Sequence, residues 1–508
     1  MTPVVDLVRR RWILAALMMT MMLAAMDITI VSTAIPQIVS ELGGFAQFGW
    51  VFSIFLLAQT ITIPIYGKLA DMFGRKPVLL FGTLVFLAGS VASALAWNMP
   101  TLIVFRGLQG VGAGSIMATV NTLAGDLYSV KERARIQGWL SSVWGVSAIV
   151  GPVLGGALAE YASWRWIFLI NLPIGAVAVA LIARFLHEDA HHHRHRVDYA
   201  GALVMLLAVG TLILGLLEGG RAWPWLSLPG VGVFVVAGLL TALTIAVERR
   251  APEAIMPGWL WRHPVLVATN LAMIGMGVVL MGPNAYLPTF GQSVLGLGAI
   301  AAGFVLAGMI LGWPLASSVS GRLYLRIGFR DTALIGAALM VIGALWFLAL
   351  PQDTAAWVLT VDQFVLGAGF GLLSTPLLVG VQSSADWRER GVVTSANIFS
   401  RYLGQSVGAA IFGALFNNAI AARLADAPAA LAVDLPRDVD GIIGALHRHA
   451  LPAAADEYLR TSIYIATHHV YAGAAAFAII TLAFVLWTPR HFPPIAIGSA
   501  DAAPTPPA

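Results

Sequence analysis

The sequence predicts an all-α integral membrane protein: two six-helix bundles with two further helices inserted between them, fourteen transmembrane helices in all. Three observations predict it. The 508 residues are 59% hydrophobic and only 11% charged, with a mean hydropathy of +0.83, whereas a soluble domain has about 45–50% apolar and about 25% charged residues. Apolar runs of bilayer-spanning length, about 20 residues, recur along almost the whole chain. The pattern of the first half also returns in the second.

The spans read as 13–36, 48–66, 78–98, 101–125, 135–159, 165–185, 199–217, 229–247, 265–288, 299–319, 331–350, 356–380, 393–417 and 469–488. The first follows Arg9, Arg10 and Arg11 like a signal peptide, but its apolar run exceeds the roughly 7–15 residues of a signal core, so it reads as a retained helix. Most of the 29 Lys and Arg fall in alternate connections, among them Lys68, Arg75 and Lys76; Lys131, Arg133 and Arg135; and Arg322, Arg326 and Arg330. Positive residues mark the cytoplasmic side. Both termini, 1–12 and the disordered tail 489–508, are therefore expected in the cytoplasm of a cell whose (inner) membrane holds the chain.

The internal repeat sets the domain organisation. Gly67-Lys68-Leu69 with Gly74 and Lys76 is echoed 254 positions later by Gly321-Arg322-Leu323 with Gly328 and Arg330. At an offset of 257, Gly110, Gly112 and Gly114 match Gly367, Gly369 and Gly371, and Glu132-Arg133 matches Glu389-Arg390. Two bundles, 13–185 and 265–488, thus flank a His-rich cytoplasmic linker, 186–198, and two inserted helices, 199–247. Two parallel halves rocking about a midplane site are what alternating access requires.

A charge inside hydrocarbon costs about 2.5–3.5 kcal/mol on insertion scales and needs a reason. Asp27 and Arg106 lie at depths that differ by roughly 6 Å at 1.5 Å per residue, within reach of an Arg side chain. They read either as a static pair or as an acid with two environments, paired and unpaired, which a proton-coupled carrier needs. Arg401 shares a helix face with Asn397 and Gln405 and reads as lining an aqueous cavity. Met26 and Thr29, in the methionine-rich first span, are the expected cavity residues on the other side. Asp362 is expected to reach the interface near its helix end.

Gly145, Gly151, Pro152, Gly155 and Gly156 on the fifth span permit close helix approach and a bend. In the loop Gly67 to Pro77, topology explains the cations Arg75 and Lys76 but not Asp71, Gly67 or Gly74. Asp71 there either binds a neighbouring helix N-terminus or forms a loop ion pair. His191, His192, His193 and His195 read as a solvated loop rather than a metal tract. The chain has no cysteine and no phosphate-cradling G-x-x-x-x-G-K-[ST] loop, so no cofactor, metal or ATP chemistry is expected, and the basic clusters are topology signals rather than a nucleic-acid face. A long outer segment, 418–468, holds a stretch, 439–446, that permits a short amphipathic helix.

These residues closely resemble the major facilitator superfamily, and within it the fourteen-helix drug:proton antiporters of the EmrB/QacA type. Met26-Asp27-Ile28-Thr29 through Pro36 resembles that subfamily's first-helix signature, and Gly67 through Lys76 the superfamily's loop motif between the second and third helices, with Met72 where a basic residue is common. Arg106 through Gly114 resembles the fourth-helix motif, and Gly151-Pro152-Val153-Leu154-Gly155-Gly156 the fifth-helix antiporter motif. The resemblance implies a transporter rather than an enzyme, exporting apolar or amphipathic drugs, dyes or biocides against protons. It implies proton coupling at Asp27 and Arg106, and a latch built on Asp71 and its loop. The alternative is export of one endogenous metabolite or lipid. The expected partners are small-molecule substrate, protons and the bilayer, with a periplasmic adaptor protein if the source is Gram-negative.

Overall fold

A computed structural model describes residues 7–44, 47–188, 198–220, 222–428, 435–436, 442, 446 and 451–494. The His-rich stretch 189–197, most of 439–446 and the end of the tail lie outside the described residues. Among the described residues fourteen helical spans are long and apolar enough to cross a bilayer, and the only strand-like pairing is an isolated bridge between Gly219 and Trp223.

The amino-terminal half comprises α1 (Leu7–Thr33), α2 (Ile35–Leu42), α3 (Gly49–Phe73), α4 (Arg75–Ala94), α5 (Met99–Leu127), α6 (Val130–Tyr161), α7 (Trp166–Leu169) and α8 (Asn171–Phe185). The helices α9 (Tyr199–Glu218) and α10 (Leu228–Glu248) are inserted before the second half. That half holds α11 (Pro264–Ser293), α12 (Ala299–Ile327), α13 (Phe329–Leu348), α14 (Ala356–Ser384), α15 (Arg390–Ala425) and α16 (Ala453–Trp487). The short α7 and α8 together form one span.

Several span ends depart from the expected ones, α3 running on to Phe73 and α12 to Ile327, and two further departures have clear causes. The first span stops at Thr33 and α2 restarts at Ile35, because Pro36 lacks an N–H and is tolerated only in a first helical turn. The expected outer loop 418–468 is helical at both of its ends: α15 runs on to Ala425 and α16 begins at Ala453. Ala-rich segments such as 419–425 and 453–455 propagate a helix without being apolar enough to look like a membrane span. At 35 residues α16 is about 52 Å long against a hydrocarbon core of about 30 Å, so it projects beyond the bilayer.

The repeat governs packing. A Cβ on Gly110 would stand 2.4 Å from the Phe55 carbonyl of α3, and one on Gly367 would stand 2.4 Å from the Met309 carbonyl of α12. Gly112 meets α4 at the Phe86 nitrogen, 2.3 Å, and Gly369 meets α13 at the Gly336 carbonyl, 2.9 Å. Gly114 and Gly371 likewise face Thr62 and Trp313. Only glycine lets α5 and α14 approach their neighbours this closely. Each half has its own apolar core, around Phe55, Phe86 and Met117 in one and Phe290, Phe347 and Phe412 in the other. Ile398, Phe399 and Tyr402 of α15 join the amino-terminal core, so the halves share a seam.

Candidate functional site

Asp27 of α1 and Arg106 of α5 are both fully buried and form an ion pair, Arg106 Nη1 donating to Asp27 Oδ2. The second carboxylate oxygen accepts from Gln109 Nε2 at 2.7 Å and lies 3.4 Å from Asn171 Nδ2. Arg106 also donates to Gln109 Oε1 (2.7 Å) and to the Val51 carbonyl (3.2 Å), and its guanidinium sits 4.3 Å from the centre of the Phe55 ring. Ser90 links Asn171 and Gln109 from α4, accepting at 2.9 and 3.3 Å. Four helices thus supply the polar lining of one carboxylate inside the amino-terminal bundle. Arg106 Nη2 and Asn171 Oδ1 are buried without partners. Sequence reasoning paired Asp27 with Arg106 but missed Gln109, Asn171 and Ser90. Gln109 carried a signal, lying one turn from Arg106 on the same helix face.

The loop between α3 and α4 joins the halves. Asp71 accepts hydrogen bonds from the backbone N–H groups of Gly391 (2.9 Å) and Val392 (2.8 Å), the free donors at the start of α15, and from Arg75 Nη2 at 2.8 Å. Both readings left open by the sequence hold at once. Arg75 is fully buried, with Nε on Asp126 Oδ2 at 2.9 Å, its plane 3.7 Å from the Trp387 ring centre and an Nη2 bond to the Trp387 carbonyl. Asp126 also takes Arg390 Nη1 at 2.5 Å. Gly67 and Gly391 face each other so closely that a Cβ on Gly67 would be 2.7 Å from the Gly391 carbonyl. Gly74, at φ +95°, turns the chain from α3 into α4, and Glu188 caps α4 by accepting from the Arg75 and Lys76 nitrogens at 2.9 and 2.8 Å. Lys76 itself reaches the Ala183 carbonyl, not the seam. Asp126, Trp387 and Glu188 were not foreseen.

The hydrogen bonds joining the halves cluster toward the arginine-rich end. Gln382 donates to the Asn121 carbonyl (3.0 Å), Arg133 to Ser383 (3.2 Å), and Tyr324 to the Val130 carbonyl. By the 257-residue offset, Arg133 with Ser383 is the repeat image of Arg390 with Asp126. This end of the molecule is closed.

Of the glycine–proline group, Gly145 meets Ile310 of α12 across the seam, whereas Gly151 and Gly155 receive Thr29, Ile30 and Thr33 of α1. Gly156 has open space where a Cβ would point, and Pro152 lies inside α6. Met26 is fully buried, and the Thr29 hydroxyl lies 2.9 Å from both the Met26 and Ser147 carbonyls, so these two serve packing rather than an open surface here. Arg401 stands against α12 within its own half, next to the residue that meets the other half. From α15 its guanidinium lies 5.8 Å from the Trp313 ring of α12 and 5.1 Å from Tyr402, which itself takes Gln59 of α3 at 3.3 Å. Its Nε is buried without a partner, and so are both side-chain polar atoms of Asn397, one turn away; Gln405 is half-buried. Asp362 does not reach the interface: it is fully buried two turns into α14, accepting from Gln363 Nε2 at 2.8 Å beside Tyr471.

Two halves of six spans, a charged seam at one end and polar groups buried inside the bundles are the build of a membrane transporter rather than an enzyme. The chain belongs to the Major Facilitator Superfamily, whose model it matches over residues 17–409. It is 33% identical over 417 residues to "Multidrug resistance protein 3" of Bacillus subtilis (strain 168), covering 82% of this chain and 81% of that one. It is 35% identical over 409 residues to the "Multidrug transporter protein MdtP" of the same organism, covering 80% and 76%. Among solved structures, the human organic anion transporter MFSD10 shares the fold at 13% identity, TM-score 0.60, covering 94% of this chain and 99% of that one.

Proposed function

We propose that this chain is a proton-coupled antiporter that exports amphipathic small molecules, with Asp27 as the proton carrier. The observation that carries the reading is the buried Asp27–Arg106 pair and its polar lining. An acid held in a dry bundle by one cation has two states: ionised and paired, or protonated with the cation released to Gln109 and the Val51 carbonyl, both already in contact. Each proton entering down 100 mV releases about 2.3 kcal/mol. The relatives named for multidrug transport support the substrate class.

On this reading the arginine-rich end faces the cytoplasm, as do both termini, and the closed seam marks a state open to the outside. Arg401, with no acid bonded to it among the described residues, stands at the substrate site with Asn397, Gln405 and Trp313. It favours neutral, zwitterionic or anionic amphipaths alongside cations. A narrower reading, export of one endogenous compound, draws on the 32% identical transporter of the acurin A biosynthesis cluster of Aspergillus aculeatus.

The test is substrate-evoked proton movement in liposomes, read with a lumenal pH dye and ethidium, for the wild type and Asp27→Asn. Movement in the wild type that vanishes in the variant supports the reading; movement that persists in the variant places coupling elsewhere and refutes it.

A further inference from the structure

The two seams between the halves are unequal. At the arginine-rich end α3 packs on α15 and, by the internal repeat, α12 packs on α6. The first seam is covered by the insertion: α9 lies against both α3 and α15, and Lys68 on that side is paired with Glu253, 3.4 Å away. Among the described residues the second seam has no such cover. It holds an open cleft of about 490 Å³ lined by Lys131, Arg135, Ser318, Val319, Arg322 and Leu325.

The chemistry of this cleft is one-sided. Lys131 and Arg135 stand one turn apart on α6, and Ser318 and Arg322 one turn apart on α12, so each helix turns a single face to the opening. Among the described residues none of the three cations forms a salt bridge, and no acid lines the cleft. The neighbouring Glu132 is engaged elsewhere, 3.1 Å from Arg10 and accepting from the Ser129 nitrogen at the start of α6. Close packing closes the floor: a Cβ on Gly321 would be 2.6 Å from Ala134, and one on Gly138 would be 1.8 Å from Ser318.

Depth then selects the ligand. Arg135 lies five residues into α6 and Arg322 five from the end of α12, about 7–8 Å below the helix ends. Where the helix ends mark the membrane surface, this depth suits a lipid headgroup, and further from that end the apolar side chains of Val319 and Leu315 are exposed on the outside of α12. Two unneutralised guanidinium groups at that depth with Lys131 nearer the helix end, above an apolar wall and between two helices, match an anionic headgroup carrying acyl chains.

We propose that the α6–α12 cleft binds an anionic phospholipid, its phosphate held by Lys131, Arg135 and Arg322 and its chains laid along Val319 and Leu315. Each wall belongs to a different half, so the lipid bridges them where α9 bridges the opposite seam. The site requires neither proton coupling nor any particular exported substrate.

The test is native mass spectrometry of the purified full chain with phosphatidylglycerol or with phosphatidylcholine of the same acyl chains. The wild type should bind phosphatidylglycerol about a hundredfold more tightly than the variant Lys131→Gln/Arg135→Gln/Arg322→Gln, about 1 kcal/mol for each charge. Phosphatidylcholine binding should be weak and unchanged. The three side chains line an open cleft, and the charge-keeping variant Lys131→Arg/Arg135→Lys/Arg322→Lys, expected to retain binding, separates charge from folding. Equal phosphatidylglycerol binding by the wild type and the glutamine variant overturns the proposal. If excess inorganic phosphate displaces as well as the lipid does and the two lipids bind alike, the cleft is a small-anion site and the lipid assignment falls.

Discussion

Replacing Asp71 by Asn should open the closed end of the molecule. The carboxylate accepts two backbone N–H groups at the start of α15, at 2.9 and 2.8 Å, and one guanidinium N–H at 2.8 Å. An amide keeps one acceptor oxygen but turns an NH2 toward the other N–H, and it removes the charge that complements a helix N-terminus. Hydrogen bonds involving a charged group contribute about 1.5–3 kcal/mol each, so losing one shifts the closed–open equilibrium by about tenfold to a hundredfold. Arg75 keeps Asp126 and Trp387, so the buried cation is not stranded and the fold survives. The chain contains no cysteine, which makes Ser395→Cys a single reporter. That position is 1% exposed and packed against Gly67 in the seam. N-ethylmaleimide should label it faster by the same factor in the Asp71→Asn background, with size-exclusion and circular dichroism unchanged. Labelling within twofold of the parent would show that the seam is held by apolar packing alone.

Gly112→Ala places a methyl 2.3 Å from the Phe86 nitrogen and 2.6 Å from the Gly82 carbonyl, neither of which can step aside. It should cost about 1–3 kcal/mol and lower the melting temperature in detergent, while Gly156→Ala, with open space around it, should not lower it. Glu41 is held below its usual value of 4.5 by the hydrogen bond from Trp164 and then by Arg165. A depressed carboxyl stabilises above its unfolded pKa and loses that contribution as pH falls. The gap in melting temperature between wild type and Glu41→Gln should therefore shrink below about pH 4.5; a constant gap from pH 6 to pH 4 would contradict the pairing. Arg401→Gln should improve ethidium export relative to that of anionic or neutral compounds, measured as transport rates in the same vesicles; equal effects on all charges would remove Arg401 from the substrate site.

What was legible in the sequence follows from what costs free energy in a bilayer. Span number came from apolar length, and Asp27, Arg106 and Arg401 stood out because a charge in hydrocarbon must have a use or a partner. The repeat was legible because glycines at close helix contacts tolerate no substitute, and the contacts of Gly110 and Gly367 show why. Ser90 and Asn171 left little trace, because a lone hydroxyl or amide costs little in an apolar run and its partner is set by tertiary packing. Asp126 and Trp387 were hidden for a related reason: they lie at helix ends, where charged and aromatic residues are common, and only the docking of α15 on α3 gives them Arg75. Helix ends were misjudged at α15 and α16 because Ala-rich sequence propagates a helix past the point where hydropathy falls below that of a membrane span.

The two halves are built alike and charged differently, and the difference assigns their work. Where α5 carries Arg106, the repeat position on α14 is Gln363, and the stretch of α11 around Val279, matching Asp27, is apolar. The carboxylate beside Gln363, Asp362, has an amide for a partner instead of a cation. Leu325 stands 254 positions after Asp71, so the second loop has no acid to hold the start of α6, and Tyr324 bonds to Val130 there instead. The carboxyl-terminal half therefore cannot reproduce either the buried ion pair or the acid latch, yet it supplies Arg401 and Asn397, which the first half lacks. On the proposed reading the amino-terminal half carries the proton and the latch, and the carboxyl-terminal half reads the substrate. Coupling between them must then pass through the seam that α3, α5 and α15 share, where Gln59 meets Tyr402 beside Arg401. A change that left both sites intact but broke that contact, Tyr402→Phe, should leave substrate binding and Asp27 protonation in place while lowering the protons moved per substrate exported.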